Sequence, residues 1–270
     1  MNKSGNTPLI KNDELAQKFG FAILIKDESK NPFRTFKDRR SEVIIKKGRD
    51  EQVDTLVLIT SGNAGYSLGR FSQGTNIRIV NIVDKKLKKS IKDKLKKYGE
   101  IIEINLSEKI LKPEEVILLA RQNDEEVIWD VTNGFHEGYE KIVEEVKEAN
   151  PNFIILPVGS GEAFVGFYKG IEKFKLKTKL IGVGVKDKWQ SFADKLHTPW
   201  TPYKSKIQSI LKEGHKIIKL EEEEIKEAYK QYKDKFNIEP SSSVVFGMLP
   251  KLKFKKEDKI ILINSGKGIL

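Results

Sequence analysis

The feature that most constrains this chain is a recurrence of short apolar, β-branched runs with amphipathic stretches between them. The runs fall at residues 22–25, 56–59, 77–83, 101–104, 127–129, 153–156, 180–185 and 260–263. Each has the length of a strand and lacks strict alternation, so each is expected to be buried on both faces. Helical periodicity lies between most of them. Residues 137–150 place Tyr139, Ile142, Val143 and Val146 on one side, and 221–236 form another helix. This alternation predicts an α/β fold with parallel sheets covered by helices. A chain of 270 residues is long enough for a large core and two lobes. Pro151 ends one helix just before an apolar run and is expected to mark a crossing between lobes.

In such folds ligands bind at the carboxyl ends of strands, where loops meet helix N-termini. Four runs are followed by loops rich in Gly, Ser, Asn and Thr. KDESKNPFRTFKDRR follows the first run, TSGNAGYS the second, PVGSGEAFVG the sixth and NSGKG the eighth. Several such loops together indicate a substantial polar ligand held from many sides.

Other function classes are disfavoured. The net charge of +11 is concentrated at residues 85–97, where eight of thirteen residues are lysine. Leu87, Ile91, Leu95 and Tyr98 recur within that stretch as the apolar stripe of a helix, so the lysines read as its solvated face. Aromatic residues do not interleave with them, and no nucleic-acid partner is expected. The absence of cysteine excludes disulfides, a thiol nucleophile and a cysteine zinc site. His136, His197 and His215 lack metal spacing, so no metal is expected; His136 stands out beside Glu137-Gly138. No apolar run approaches a membrane span, and MNKSGNTPLI lacks the apolar core of a signal peptide, so no membrane partner and a cytoplasmic location are expected.

The loops, in their order, resemble fold-type II pyridoxal-phosphate (PLP) enzymes, the tryptophan synthase beta-like family, and within it threonine synthase. The residues that carry the resemblance are Gly5-Asn6-Thr7-Pro8-Leu9, Lys26-Asp27-Glu28, Asn31-Pro32, Thr35-Phe36-Lys37-Asp38-Arg39, Ser61-Gly62-Asn63-Ala64-Gly65, Glu137-Gly138, Glu239-Pro240-Ser241-Ser242-Ser243 and Ser265-Gly266. The resemblance implies two open, twisted, mostly parallel sheets with the cofactor in the cleft between lobes. Residues 1–47 and 146–270 would form the large PLP-binding domain, and 48–145 a smaller mobile domain carrying the SGNAG loop. A homodimer acting on a small amino acid is implied too.

Roles follow residue by residue from the resemblance. Lys37 would attach the cofactor through its amine and later move protons. Asn63 would hydrogen-bond the cofactor's ring oxygen. Thr60, Ser61, Gly62, Asn63 and Ala64 would receive the substrate carboxylate. Gly159, Ser160, Gly161, Glu162 and Ala163 would form the loop around the cofactor phosphate, and Ser265 would meet the pyridine nitrogen. The implied reaction is elimination or replacement of an amino-acid side-chain group, foremost conversion of O-phosphohomoserine and water to L-threonine and phosphate. Serine/threonine dehydratases, cysteine or cysteate synthases and a non-catalytic PLP-binding homologue are the alternatives.

Two positions depart from the family. Phe33-Arg34 replaces Thr-Gly. Arg34 is expected either to pair with a nearby acid such as Asp38 at the surface or to enter the cleft and bind an anionic group of the substrate. Glu162 stands where a small residue is usual. Its carboxylate would either face the cofactor phosphate, which is repulsive, or point outward from the first helical turn.

Overall fold

A computed structural model describes residues 3–186, 191–198 and 201–269. The strands are β1 (Leu9–Lys11), β2 (Ala22–Asp27), β3 (Thr55–Ile59), β4 (Arg78–Asp84), β5 (Glu100–Ile104), β6 (Ile128–Asp130), β7 (Phe153–Pro157), β8 (Lys179–Val185), β9 (Lys216–Leu220) and β10 (Lys259–Asn264). The helices are α1 (Asp13–Phe19), α2 (Lys37–Asp50), α3 (Asn63–Phe71), α4 (Lys89–Lys96), α5 (Pro113–Ala120), α6 (Glu137–Val146), α7 (Glu162–Lys173), α8 (Lys204–Lys212), α9 (Glu222–Phe236) and α10 (Pro240–Gly247). All eight apolar runs are strands.

The strands form two sheets, a six-stranded one in the order β1-β2-β10-β7-β8-β9 and a four-stranded one in the order β5-β4-β3-β6. Every pairing is parallel except β1 with β2. The residue pair 47/48 lies inside α2 and the pair 145/146 inside α6, so both junctions drawn from the sequence fall within helices.

Burial on both faces holds for the inner strands and fails at the edges. Residues 55–58 of β3 and 260–264 of β10 are fully buried. β5 and β6 remain half-exposed because each has a neighbour on one side only. The lysine-rich helix is also shorter than its stripe, spanning Lys89–Lys96. The Asp84 side chain accepts from the Lys86 amide at 2.7 Å, and that turn keeps Leu87 outside the helix. Ile91 and Leu95 are its buried face, and its lysines at 89 and 96 are exposed.

Helix α6 packs on α2 through Gly138. A Cβ there would stand 2.7 Å from Arg40 Cα and 2.8 Å from the Arg39 carbonyl, so only glycine permits this approach. Beside it lies a buried ionic network built from the motif residues. Arg39 donates to both Glu28 oxygens, at 2.8 Å from Nε and 2.7 Å from Nη2, and also to Glu145 at 2.9 Å. Glu28 further accepts from Thr7 at 2.6 Å and from Asn31 at 2.7 Å. Lys26 donates to Glu145 and to the Thr7 carbonyl. Much of the GNTPL, KDE, NP and KDR signature therefore holds the helix that begins at Lys37.

Candidate active site

Lys37 opens α2 directly after a turn tied to the end of β10. The Phe36 amide donates to the Ser265 carbonyl at 2.9 Å, and Thr35 bridges to Gly266. Part of Lys37 reaches solvent, yet its amine is enclosed, 5.3 Å from the Phe36 ring centre and 5.5 Å from that of Tyr139. Burial lowers its pKa to about 8, outweighing the raising effect of Glu162; Arg40 lowers it further and Glu239 opposes. A lysine so tuned is far more often a free nucleophile at neutral pH than a surface one.

The structure turns Glu162 inward, so the outward alternative of the two expected does not hold. Glu162 and Arg40 are 1% and 2% exposed, and Arg40 Nε stands 2.9 Å from Glu162 Oε2. The approach is that of an ion pair without hydrogen-bond geometry at Nε. Arg40 also donates to the Val131 carbonyl at 2.5 Å, and Glu162 accepts from the Phe135 amide at 3.0 Å. The like-charge objection to Glu162 thus loses its force, because a buried cation balances the carboxylate.

The loop 159–161 between β7 and α7 carries the residues expected around the phosphate. Gly161 sits at φ +90°, a left-handed conformation that favours glycine, and a Cβ there would meet Ile207 at 2.4 Å. The first N–H groups of α7 have no intrahelical acceptors, a geometry suited to receiving an anion. The Glu162 amide has only a long 3.5 Å contact to Ser160 Oγ. Ser160's carbonyl accepts from Thr201, and Ala163 packs its methyl into the core.

The SGNAG loop is capped from within. Thr60 Oγ1 accepts the Gly62 amide at 3.0 Å and the Gly65 amide at 3.2 Å, so those two groups are engaged. Ser61 is exposed and Ala64 half-buried. Asn63 donates to both oxygens of Glu239, at 2.9 and 3.1 Å, and accepts from Lys195 at 3.1 Å. Lys195 in turn pairs with Glu239. Ser265 is buried at the end of β10, its amide donating to Ser242 Oγ at 2.9 Å.

Arg34 is exposed, but the Asp38 partner expected for it is engaged elsewhere. Asp38 is buried and accepts from the Phe33 amide at 2.7 Å and from Ser67 at 2.6 Å, so the Arg34–Asp38 pair does not form. Burial raises Asp38 to about 7 despite those bonds. Arg34 is exposed and lines a cavity of about 300 Å³ that Lys37 does not line. Its φ of +62° explains the glycine the family prefers there.

Sequence reasoning missed Arg40, Tyr139, Lys195 and Tyr203. Tyr139 was read only as a core residue of α6; burial, then Glu162, raises its phenol well above the usual range. Tyr203 accepts the Gly134 amide at 2.7 Å, and burial, then Glu162, raises it to about 12. No local pattern marks these residues, since their partners are distant in the chain. His136 precedes α6, and burial, then Lys169, lowers its pKa; His215 Nδ1 accepts the Leu180 amide at 2.9 Å, which is a structural role.

A model of the family described as "Pyridoxal-phosphate dependent enzyme" matches residues 2–266. The chain belongs to that family. Among curated members of this PLP family, a threonine synthase of Methanosarcina acetivorans is 27% identical over 185 residues, 64% of this chain and 44% of that protein. A threonine synthase of Methanocaldococcus jannaschii is 23% identical over 309 residues, 98% of this chain and 75% of that protein. The first two curated relatives are matched over 44% and 50% of their length, so the chain spans about half of each. Maize serine racemase superposes with a TM-score of 0.84 at 18% identity, covering 98% of this chain and 89% of that one. Threonine deaminase isoform 2 of Solanum lycopersicum gives 0.77 at 17%, covering 98% and 85%. At those identities the superpositions establish the fold.

The cofactor of the PLP family is pyridoxal 5′-phosphate, and the residues present fit it. An enclosed amine of lowered pKa lies beside two aromatic rings, a glycine-bearing helix N-terminus is at hand, and a buried serine follows β10. Tyr139 Oη and Ser241 Oγ are buried with no hydrogen-bond partner among the described residues, as expected where a polar group completes the site. Lys37 and Ser265 would hold its two ends, with residues 159–163 at the phosphate.

Proposed function

We propose that this chain is a PLP-dependent lyase or synthase that eliminates or replaces a side-chain group of an amino acid, with threonine synthase activity as the leading reading. The observation that carries it is the enclosed Lys37 amine, lowered to about 8 at the start of a helix held by the buried Arg39–Glu28 pair. Bound PLP supplies an electron sink; the chain supplies positioning and proton transfer. Lys37 would hold the cofactor and would carry protons at the substrate carbons. Asn63 orients the ring, and residues 60–64 receive the substrate carboxylate. The smaller lobe, residues 48–145, moves over the substrate to exclude water. The curated threonine synthases support this choice of reaction. No helix among the described residues is long and apolar enough to cross a membrane. A homodimer belongs to the same proposal and is read by sedimentation.

Turnover decides the reaction. O-phosphohomoserine should release phosphate and yield threonine. A second reading, β-replacement, draws on a match to cysteine synthase B of Salmonella typhimurium at 30% identity over 99 residues. Sulfide-dependent consumption of O-acetylserine without phosphate release from O-phosphohomoserine would select it. Keto-acid release from serine or threonine would select a dehydratase. A protein that binds PLP and turns over none of these is the non-catalytic homologue.

A further inference from the structure

The cavity of about 300 Å³ is lined by Pro32, Phe33, Arg34, Tyr66, Arg70, Lys94, Gly268 and Ile269. Three of those side chains are cations and none is an acid. Each cation comes from a different element: Arg34 from the turn before Lys37, Arg70 from α3 and Lys94 from α4. Like charges gathered in one concavity repel each other, so the arrangement calls for a counter-charge.

Arg70 is pre-set for that task. Its guanidinium lies 4.6 Å from the Phe33 ring centre and 4.9 Å from that of Tyr98, and Nη1 donates to Tyr66 Oη at 2.9 Å. A guanidinium has five donors in a planar fork, and aromatic stacking leaves their edge available. Among the described residues none of the three cations is paired with a carboxylate. Lys94 donates to the Ile269 carbonyl, and the Arg34 carbonyl accepts the amides of Lys267 at 3.1 Å and Gly268 at 3.3 Å. Gly268 and Ile269 thereby form one wall of the cavity, and a Cβ on Gly268 would meet Glu239 and Asn63.

We propose that this cavity is a binding site for a small phosphate-bearing anion, separate from the cradle of the cofactor phosphate. Three positive charges complement a phosphate or diphosphate better than a single carboxylate, and the volume suits a ligand of that size. Occupancy would tie the turn that ends at Lys37 to the helices flanking the four-stranded sheet. The inference rests on the cavity and its charges, so it stands whichever amino acid is turned over.

Pyrophosphate is the probe, titrated calorimetrically into PLP-saturated protein at low salt, about 20 mM, to limit screening. Saturable one-to-one binding is expected, with orthophosphate weaker and citrate weaker still. Arg34→Gln combined with Lys94→Gln should weaken it by about tenfold or more, the scale of a lost charged hydrogen bond. Lys89→Gln with Lys96→Gln removes the same charge from exposed positions on α4 and should leave binding unchanged. No saturable binding, or equal weakening by both pairs, would overturn the site. Citrate binding as tightly as pyrophosphate would overturn its assignment to phosphate.

Discussion

Glu162→Gln is the sharpest test of how this site departs from its relatives. The substitution keeps the shape and the acceptor for the Phe135 amide, but removes the charge that balances Arg40. Both partners are almost fully buried, at 1% and 2% exposure, so Arg40 would be left as an uncompensated cation. Breaking such a pair costs about 3–5 kcal/mol. A domain has roughly 5–15 kcal/mol in all, so a large share of stability is at stake. With a urea slope near 3 kcal/mol per M, the unfolding midpoint should fall by about 1–2 M. Replacing both partners, Arg40→Leu with Glu162→Leu, should recover most of the loss, because two well-packed apolar groups need no counter-charge. The same single substitution removes a group that raises the Lys37 pKa, so cofactor attachment should shift to lower pH. A midpoint drop under about 0.3 M would show that the pair is solvated and that Arg40 has another way to be satisfied.

In apoprotein, the rate of PLP attachment should follow the neutral fraction of Lys37, rising with a midpoint near pH 8; an ordinary lysine would titrate near 10.5, and such a midpoint would refute the enclosed amine. The same depression means folded protein holds fewer protons than unfolded between pH 8 and 10.5, so this group adds stability as pH rises through that window. Burial pushes Glu145 up, but hydrogen bonds from Arg39 and Lys26 overcome it and hold the carboxyl at about 2. Its contribution is full above pH 4.5 and is lost as pH falls toward 2, so Glu145→Gln should flatten the acid limb of a denaturation series. Arg34→Gly should relieve a left-handed φ costing about 1–2 kcal/mol while adding about 0.4–1 kcal/mol of unfolded-state entropy. A net gain of about 0.5 kcal/mol is expected in chemical denaturation, and a net loss would show that the turn is not strained.

The apolar runs located eight strands, six of them inner parallel strands that must be continuously apolar and two, β5 and β6, at the edges of the smaller sheet. β1 and β9 were not legible. One is three residues long, the other is broken by lysines, and both lie at sheet edges where burial demands little of the sequence. Motif spacing pointed to Lys37, to the glycine loop and to Ser265. It could not show what holds them, because the partners are remote. Asn63 meets Glu239 from 176 positions away, and Arg39 meets Glu145 from 106. Arg34 was visible as a departure, but only the backbone torsion explains why glycine is preferred there.

The place of β10 bears on how the molecule is made. This strand, last in sequence order, lies in the middle of the six-stranded sheet between β2 and β7. A ribosome adding about 5–20 residues per second would release β2 on the order of 10–50 s before β10. Throughout that interval the inner edge of β2 has no neighbour, nor has the facing edge of β7 once it is made, and unpaired edges are templates for pairing with other chains. The nascent chain therefore cannot complete its larger sheet until β10 has been synthesised. Slowing elongation should lower the yield of folded protein, and a holdase that covers the β2 edge should restore it.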